Sequence, residues 1–192
     1  MSFDHLRHHR RSIRLPGYDY TQAGVYFVTI VAWQWECLLG EIKTGQVMLS
    51  PVGQVVHREW DRLRSRFPSV GLDEFAIMPN HIHGIVVIHD PCRGAAELVL
   101  DHGRRNIPLR PYTTPVTNVV PRSLGSIVRA FKSSTAYRYN RMRISSGSPL
   151  WQRNYHEHII RDEADWERIC QYIRENPAQW ENDRENPDQN PL

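Results

Sequence analysis

The stretch that most constrains this chain is Phe75-Ala-Ile-Met-Pro-Asn-His-Ile-His-Gly-Ile-Val-Val-Ile88. It sets His81 and His83 two residues apart at the mouth of a strongly apolar run. Side chains two apart on a strand point to the same side. Both imidazoles therefore face one point, and Ile82 between them goes to the other face. Pro79 has no N–H for a ladder, so Met78-Pro79-Asn80 reads as the bend between a strand over 73–78 and another over 81–88. Two neutral imidazoles converging from a rigid strand make half of a metal site. The same pattern also fits a polar sheet edge, and the rest of the chain has to decide between them.

The other elements follow in order. Gly24 opens Val-Tyr-Phe-Val-Thr-Ile-Val-Ala-Trp33, β-branched, aromatic and apolar on both faces, as a central strand does. Leu38 to Ile42 and Val47 to Leu49 flank Lys43-Thr44-Gly45-Gln46 as a hairpin. Ser50-Pro51 is a helix start. Val52, Val55, Val56, Leu63 and Phe67 follow at helical spacing, Arg58, Asp61, Arg62 and Arg66 form the wet face, and Pro68 is the stop. Leu124, Ile127, Val128, Phe131 and Thr135 mark the core face of a second helix. Residues 155–160 read as a last short strand. Asp162 caps a third helix with Trp166, Ile169, Cys170 and Ile173 on its apolar face, and Pro177 ends it. The expected fold class is α+β, with a ferredoxin-like, split-βαβ antiparallel sheet and two helices on one face. The third helix is left to cover part of the other face, where His81 and His83 point.

A length of 192 residues suits one domain, expected over 16–180, and a 40% apolar fraction supports a sizeable core. Cys37, Cys92 and Cys170 fit neither a zinc spacing nor a disulfide framework, which points to a reduced cytoplasm. No apolar run has the length of a membrane span, so no membrane partner is expected. The formal charge is only +3, but it is unevenly placed. Arg7, Arg10, Arg11 and Arg14 make a basic arm over 1–15. Arg104 and Arg105 lie in a long basic loop over 89–120. Arg122, Arg129, Lys132 and Arg143 fall on one face of the second helix. Singly, each reads as solvated surface; together they read as a track for nucleic acid, because clustered arginine offers bidentate donors to phosphate. Residues 181–192 are polar and are expected to be a mobile tail.

If the third helix docks over the two histidines, Asn176 offers an amide oxygen as a third ligand. Two imidazoles and an amide leave positions open for phosphate oxygens, which suits Mg²⁺ or Mn²⁺ rather than a closed zinc site. Tyr172 lies one turn before Asn176 and would hold its phenol beside the same phosphate. A nearby cation lowers the cost of forming the phenolate. His156 and His158 also share a strand face and are the competing metal pair; Tyr155 is the competing nucleophile.

Ile77-Met-Pro-Asn-His-Ile-His-Gly84 resembles the His-hydrophobic-His motif of HUH single-tyrosine transposases, and Tyr172-Ile-Arg-Glu-Asn-Pro177 is similar to their tyrosine helix. Leu15-Pro-Gly-Tyr-Asp-Tyr20, Tyr26-Phe-Val-Thr-Ile30 and Phe131-Lys-Ser133 resemble one branch, the REP-associated tyrosine transposases. The resemblance runs from Arg14 to Pro177. It implies an HUH nuclease, an enzyme of DNA transposition that cuts and rejoins single-stranded DNA beside imperfect palindromic, REP-type hairpins. It implies Mg²⁺ or Mn²⁺, a 5′-phosphotyrosine intermediate, a cytoplasmic, nucleoid-associated location, and a monomer or homodimer. Carried over, His81 and His83 bind the metal, Tyr172 is the nucleophile and Asn176 is the third ligand, where the related insertion-sequence enzymes carry Gln. Two other readings stay beside it: a single-stranded nucleic-acid binding module without catalysis, and a metal-dependent phosphodiesterase that uses water.

Overall fold

The computed structural model describes residues 18–89, 123–143 and 147–189. The elements run β1 (Gly24–Val31), β2 (Gly40–Lys43), β3 (Gln46–Leu49), α1 (Pro51–Arg66), β4 (Val70–Ile77), β5 (His81–Ile88), α2 (Leu124–Met142), β6 (His156–Ile160) and α3 (Glu163–Glu175). Four strands form one antiparallel sheet in the order β4-β5-β1-β6. This is the split-βαβ order expected from the sequence. Strands β2 and β3 form a separate hairpin, closed by Thr44 and Gly45, both at positive φ as a two-residue hairpin turn requires.

The register of β1 on β5 sets up the site. Val31 pairs with His81, Thr29 with His83 and Phe27 with Ile85. Even-numbered Tyr26, Val28, Ile30, Ile82, Val86 and Ile88 pack with Val56, Trp60 and Leu63 of α1 and Leu124, Ile127, Val128 and Phe131 of α2 in the main core. Odd-numbered Val25, Phe27, Ile85 and Val87 pack with Trp166, Ile169, Cys170 and Ile173 of α3 in a second apolar layer. Period-two alternation thus sends His81 and His83 to the α3 face. Two helices start on their expected caps, Ser50 Oγ accepting the Gly53 N–H at 3.0 Å and Asp162 Oδ1 the Asp165 N–H at 2.8 Å, and α2 starts on Ser123, whose Oγ accepts the Ser126 N–H at 3.2 Å.

Strand β4 begins at Val70, earlier than the 73–78 span expected, because a bulge between Leu72 and Phe75 breaks its alternation. The bulge holds Asp73 and Glu74. Trp166 Nε1 donates to Asp73 Oδ2 at 2.9 Å, and Arg174 pairs with Glu74 at 2.7 Å. Such exposed contacts contribute little stability, but they fix how α3 lies on the sheet.

The C-terminal segment departs from expectation. Residues 181–192 read as a mobile tail, yet Asp183 and Asn186 are buried. Asp183 Oδ1 accepts the Glu185 N–H at 2.7 Å, Asn186 Oδ1 accepts the Asp188 N–H at 3.1 Å, and Asn186 Nδ2 donates to the Trp180 carbonyl at 3.0 Å. Asp and Asn here satisfy the backbone in successive turns, a use that composition alone reads as disorder. The arm over 1–15 and residues 90–120 of the basic loop lie outside the described residues. No described helix is long and apolar enough to cross a membrane.

Candidate metal and tyrosine site

His81 and His83 are almost wholly buried, at 0% and 2% exposure. Asn80, at the bend before β5, fixes the first. Its amide nitrogen donates to the Trp35 and Glu185 carbonyls at 3.2 and 2.5 Å, so its oxygen is what faces His81 Nδ1 at 2.8 Å. The His81 proton therefore sits on Nδ1 and Nε2 is a lone pair. His83 Nδ1 lies 2.9 Å from Thr29 Oγ1, a hydroxyl that serves either tautomer by rotating. The two Nε2 atoms stand 2.9 Å apart. Burial holds the His81 pKa down to about 3. His83 is also pushed well below its ordinary value, by burial first and by His81 second, with Asp183 acting the other way. Both rings are thus neutral at physiological pH, the form that binds metal.

Helix α3 lies over this pair. Tyr172 brings its hydroxyl to 3.4 Å from His83 Nε2. Its ring meets Phe27 and His83 edge-on, with centroids 6.0 and 5.1 Å away. The ring is 44% exposed, so both solvent and a substrate can reach it. Burial raises its pKa, the Asp183 charge adds to that, and a hydrogen bond from the Asn176 side chain opposes both. Asn176 is 4% exposed, and its Oδ1 has no hydrogen-bond partner. A buried amide oxygen with nothing to accept is costly, and a cation would satisfy it.

Sequence reasoning missed Asp183. Its side chain is buried, its Oδ2 lies 3.9 Å from His81 Nε2, and its ligand atoms and those of His81 and His83 all fall within 4.8 Å of one another. The segment is tied down by Glu185, which accepts from Trp35 Nε1 at 2.7 Å and from Asn80. Its signal in the sequence, Asp183 two residues before Glu185, is only that of a turn.

These donors fit a divalent cation. Two nitrogens on adjacent corners of an octahedron, each about 2.1 Å from its centre, are about 3.0 Å apart, close to the spacing of the two imidazoles. Two imidazole nitrogens with amide or carboxylate oxygen make a mixed nitrogen–oxygen donor set that suits a divalent metal ion.

Other expected residues are placed elsewhere. His156 and His158 are exposed on β6, and His158 bonds Asp165 at 2.7 Å instead of joining a metal cluster. Tyr155 is half-buried and packs on the main core. Arg129 is exposed on α2. Lys132 is not on a free basic stripe: its ammonium donates to the carbonyls of Gln152, Arg153 and Asn154 at 2.5, 3.2 and 3.1 Å. Arg7, Arg10, Arg11, Arg14, Arg104, Arg105 and Arg122 lie outside the described residues.

No family model matches the chain. It is 41% identical over 178 residues to an "uncharacterized protein" of Haemophilus influenzae, a match that covers 92% of this chain and 93% of that one. In three dimensions it resembles the structure of a REP-associated tyrosine transposase bound to a REP hairpin. The TM-score is 0.54 at 16% identity, covering 85% of this chain and 72% of the other. The two share a fold, an antiparallel four-stranded sheet with helices.

Proposed function

We propose that this chain, which belongs to one family with the Haemophilus influenzae protein and has the fold of a REP-associated tyrosine transposase, is a metal-dependent single-stranded DNA nuclease and strand transferase of transposase type. The observation that carries this reading is the Tyr172 hydroxyl, 3.4 Å from His83 Nε2, with His81 Nε2 2.9 Å beyond. A fold alone does not choose a chemistry; a tyrosine set beside two buried neutral imidazoles narrows it.

His81, His83 and the Asn176 amide oxygen would hold Mg²⁺ or Mn²⁺. When bound, the ion supplies Lewis acidity at the phosphodiester and charge that favours the phenolate. In the resting protein, burial and Asp183 keep Tyr172 protonated, which guards against adventitious attack. The Asn176 hydrogen bond favours the ionised phenol and orients it. In the reaction the Tyr172 oxygen bonds to phosphorus and its proton passes to the solvent that reaches the ring. The bond from phosphorus to the 3′-oxygen breaks, and that oxygen leaves as a 3′-hydroxyl. The 5′-phosphotyrosine formed keeps the energy of the original ester, so an incoming 3′-hydroxyl regenerates the phenol and joins strands without ATP.

The substrate we propose is single-stranded DNA beside palindromic hairpins of the REP type; the structural neighbour is bound to a REP hairpin. Arg129, with the arginines of the arm and of the basic loop, would contact its phosphates.

The test is incubation of the protein with labelled single-stranded hairpin DNA from repeats flanking its own gene, with and without Mn²⁺, resolved on a denaturing protein gel. A Mn²⁺-dependent covalent band that is lost in Tyr172→Phe is expected. A retarded complex on native gels with no covalent band, in both proteins, would replace this reading with that of a non-catalytic binding module.

A further inference from the structure

We propose that the C-terminal segment completes the cation site, with the Asp183 carboxylate as a ligand and Trp35, Asn80 and Glu185 as the clamp that holds it. This rests on the metal reading above and extends it to a segment that the tyrosine and histidine motifs do not include.

Asp183 is held on one side only. Its Oδ1 takes the Glu185 N–H, while Oδ2 looks toward His81 Nε2 at 3.9 Å. That nitrogen presents a lone pair, because the His81 proton is committed to Asn80 Oδ1. A carboxylate oxygen and an imidazole lone pair facing each other repel, and the contact to His81 at 3.9 Å is too long for a hydrogen bond. Buried charge of this kind is stable when it is paired or coordinates a metal. Asn176 Oδ1 is a second buried acceptor without a partner, and the Asn176 side chain bonds Tyr172, whose hydroxyl lies 3.4 Å from His83 Nε2. The His81 lone pair, the Asp183 carboxylate and the His83 ring, whose hydroxyl partner serves either tautomer, are the surroundings of a cation. An anionic oxygen also supplies what two neutral imidazoles and an amide lack, a charge to offset part of a divalent ion.

The clamp explains how a polar segment some hundred residues from β5 is brought into register with it. Asn80 bonds His81 with its oxygen and Glu185 with its nitrogen, so one side chain aligns two ligands. Trp35 adds a second tie, its indole N–H donating to the Glu185 carboxylate at 2.7 Å. Trp35 and its neighbour Gln34 lie at φ 56° and 54°, a backbone that residues other than glycine seldom adopt and that here aims the Trp35 carbonyl at Asn80 and its indole at Glu185.

The experiment is a Mn²⁺ titration of the full chain, read by the electron paramagnetic resonance signal of free Mn²⁺, with no DNA and no turnover. Wild type, His83→Ala, Asp183→Asn and Trp35→Phe are compared, and unfolding midpoints in EDTA verify that each variant is folded. Wild type should bind one Mn²⁺ and His83→Ala should not. Asp183→Asn, which keeps the shape and removes the charge, should bind roughly 10- to 100-fold more weakly, and Trp35→Phe, which loses only a positioning bond, by a smaller factor. Unchanged affinity in Asp183→Asn, with His83→Ala inactive in binding, would overturn the ligand role while leaving the histidine site standing. Tighter binding in Asp183→Asn would overturn it by making the carboxylate a competitor of the ion. No Mn²⁺ bound by folded wild type would overturn the metal reading beneath it as well.

Discussion

Replacing Gly84 by alanine tests the packing that holds the histidine strand. A Cβ there would stand 2.4 Å from Trp60 Cζ2, 2.6 Å from its Cη2 and 3.1 Å from Phe75 Cδ2. Non-bonded carbons rest at about 3.5–4.0 Å, so the indole or the strand must move by roughly 1 Å. The indole has nowhere to go. It is buried, stacked on Phe75 at 4.5 Å and 9°, and met edge-on by Phe131 at 5.5 Å. Overpacking a core costs about 1–3 kcal/mol, and against so rigid a stack the upper end, about 3 kcal/mol, is expected. Urea denaturation of Gly84→Ala, Trp60→Phe and the double variant measures it. The smaller phenyl ring of the Trp60→Phe variant lacks the benzo edge that collides, so the double variant should be more stable than the sum of the singles predicts, by at least about 1 kcal/mol. A Gly84→Ala protein within about 0.5 kcal/mol of wild type, or strict additivity, would refute the argument that Trp60 dictates glycine beside His83.

The other expectations concern the site. Thr29→Val removes the partner of His83 Nδ1 and should weaken Mn²⁺ binding about tenfold, read by the same resonance titration; unchanged affinity would show that the hydroxyl does not orient the ring. His81 and His83 stay neutral in the folded protein, while the unfolded chain protonates both at about 6.5. Below that pH the unfolded state takes up protons that the folded state refuses. Metal-free stability should therefore be full above about pH 6.5 and fall by about 1.4 kcal/mol per pH unit for each histidine as the pH drops toward 3. Urea midpoints that stay level from about pH 7 to about pH 5 would contradict a buried neutral pair. Lys132→Met leaves three carbonyls without their donor and should lower stability by about 1–3 kcal/mol in thermal or urea unfolding; a wild-type midpoint coupled with weakened DNA binding would return this lysine to the DNA track.

The sequence by itself determined the elements and their faces. Alternation along 81–88 already placed His81 and His83 together and opposite Ile82, and the observed pairing with β1 keeps that parity. Helical spacing marked Leu124, Ile127, Val128, Phe131 and Thr135, all of which are buried, and it set Tyr172 one turn from Asn176. These are local consequences of backbone geometry, so they survive without knowledge of the partner. Only the tertiary structure decided what meets what. Glu59 stands among residues read as a wet face, yet it is buried against Arg62 of its own helix and Arg138 of α2. Lys132 holds a turn rather than facing solvent. Asp183 looked like part of a tail, and turns built from its own carboxylate bring it within reach of His81, a contact of residues about a hundred apart. Gly84 is only a glycine in the sequence; in the fold it is the space that Trp60 occupies. Such contacts are absent from any local pattern, because they depend on which surfaces exclude water together once the whole chain has packed.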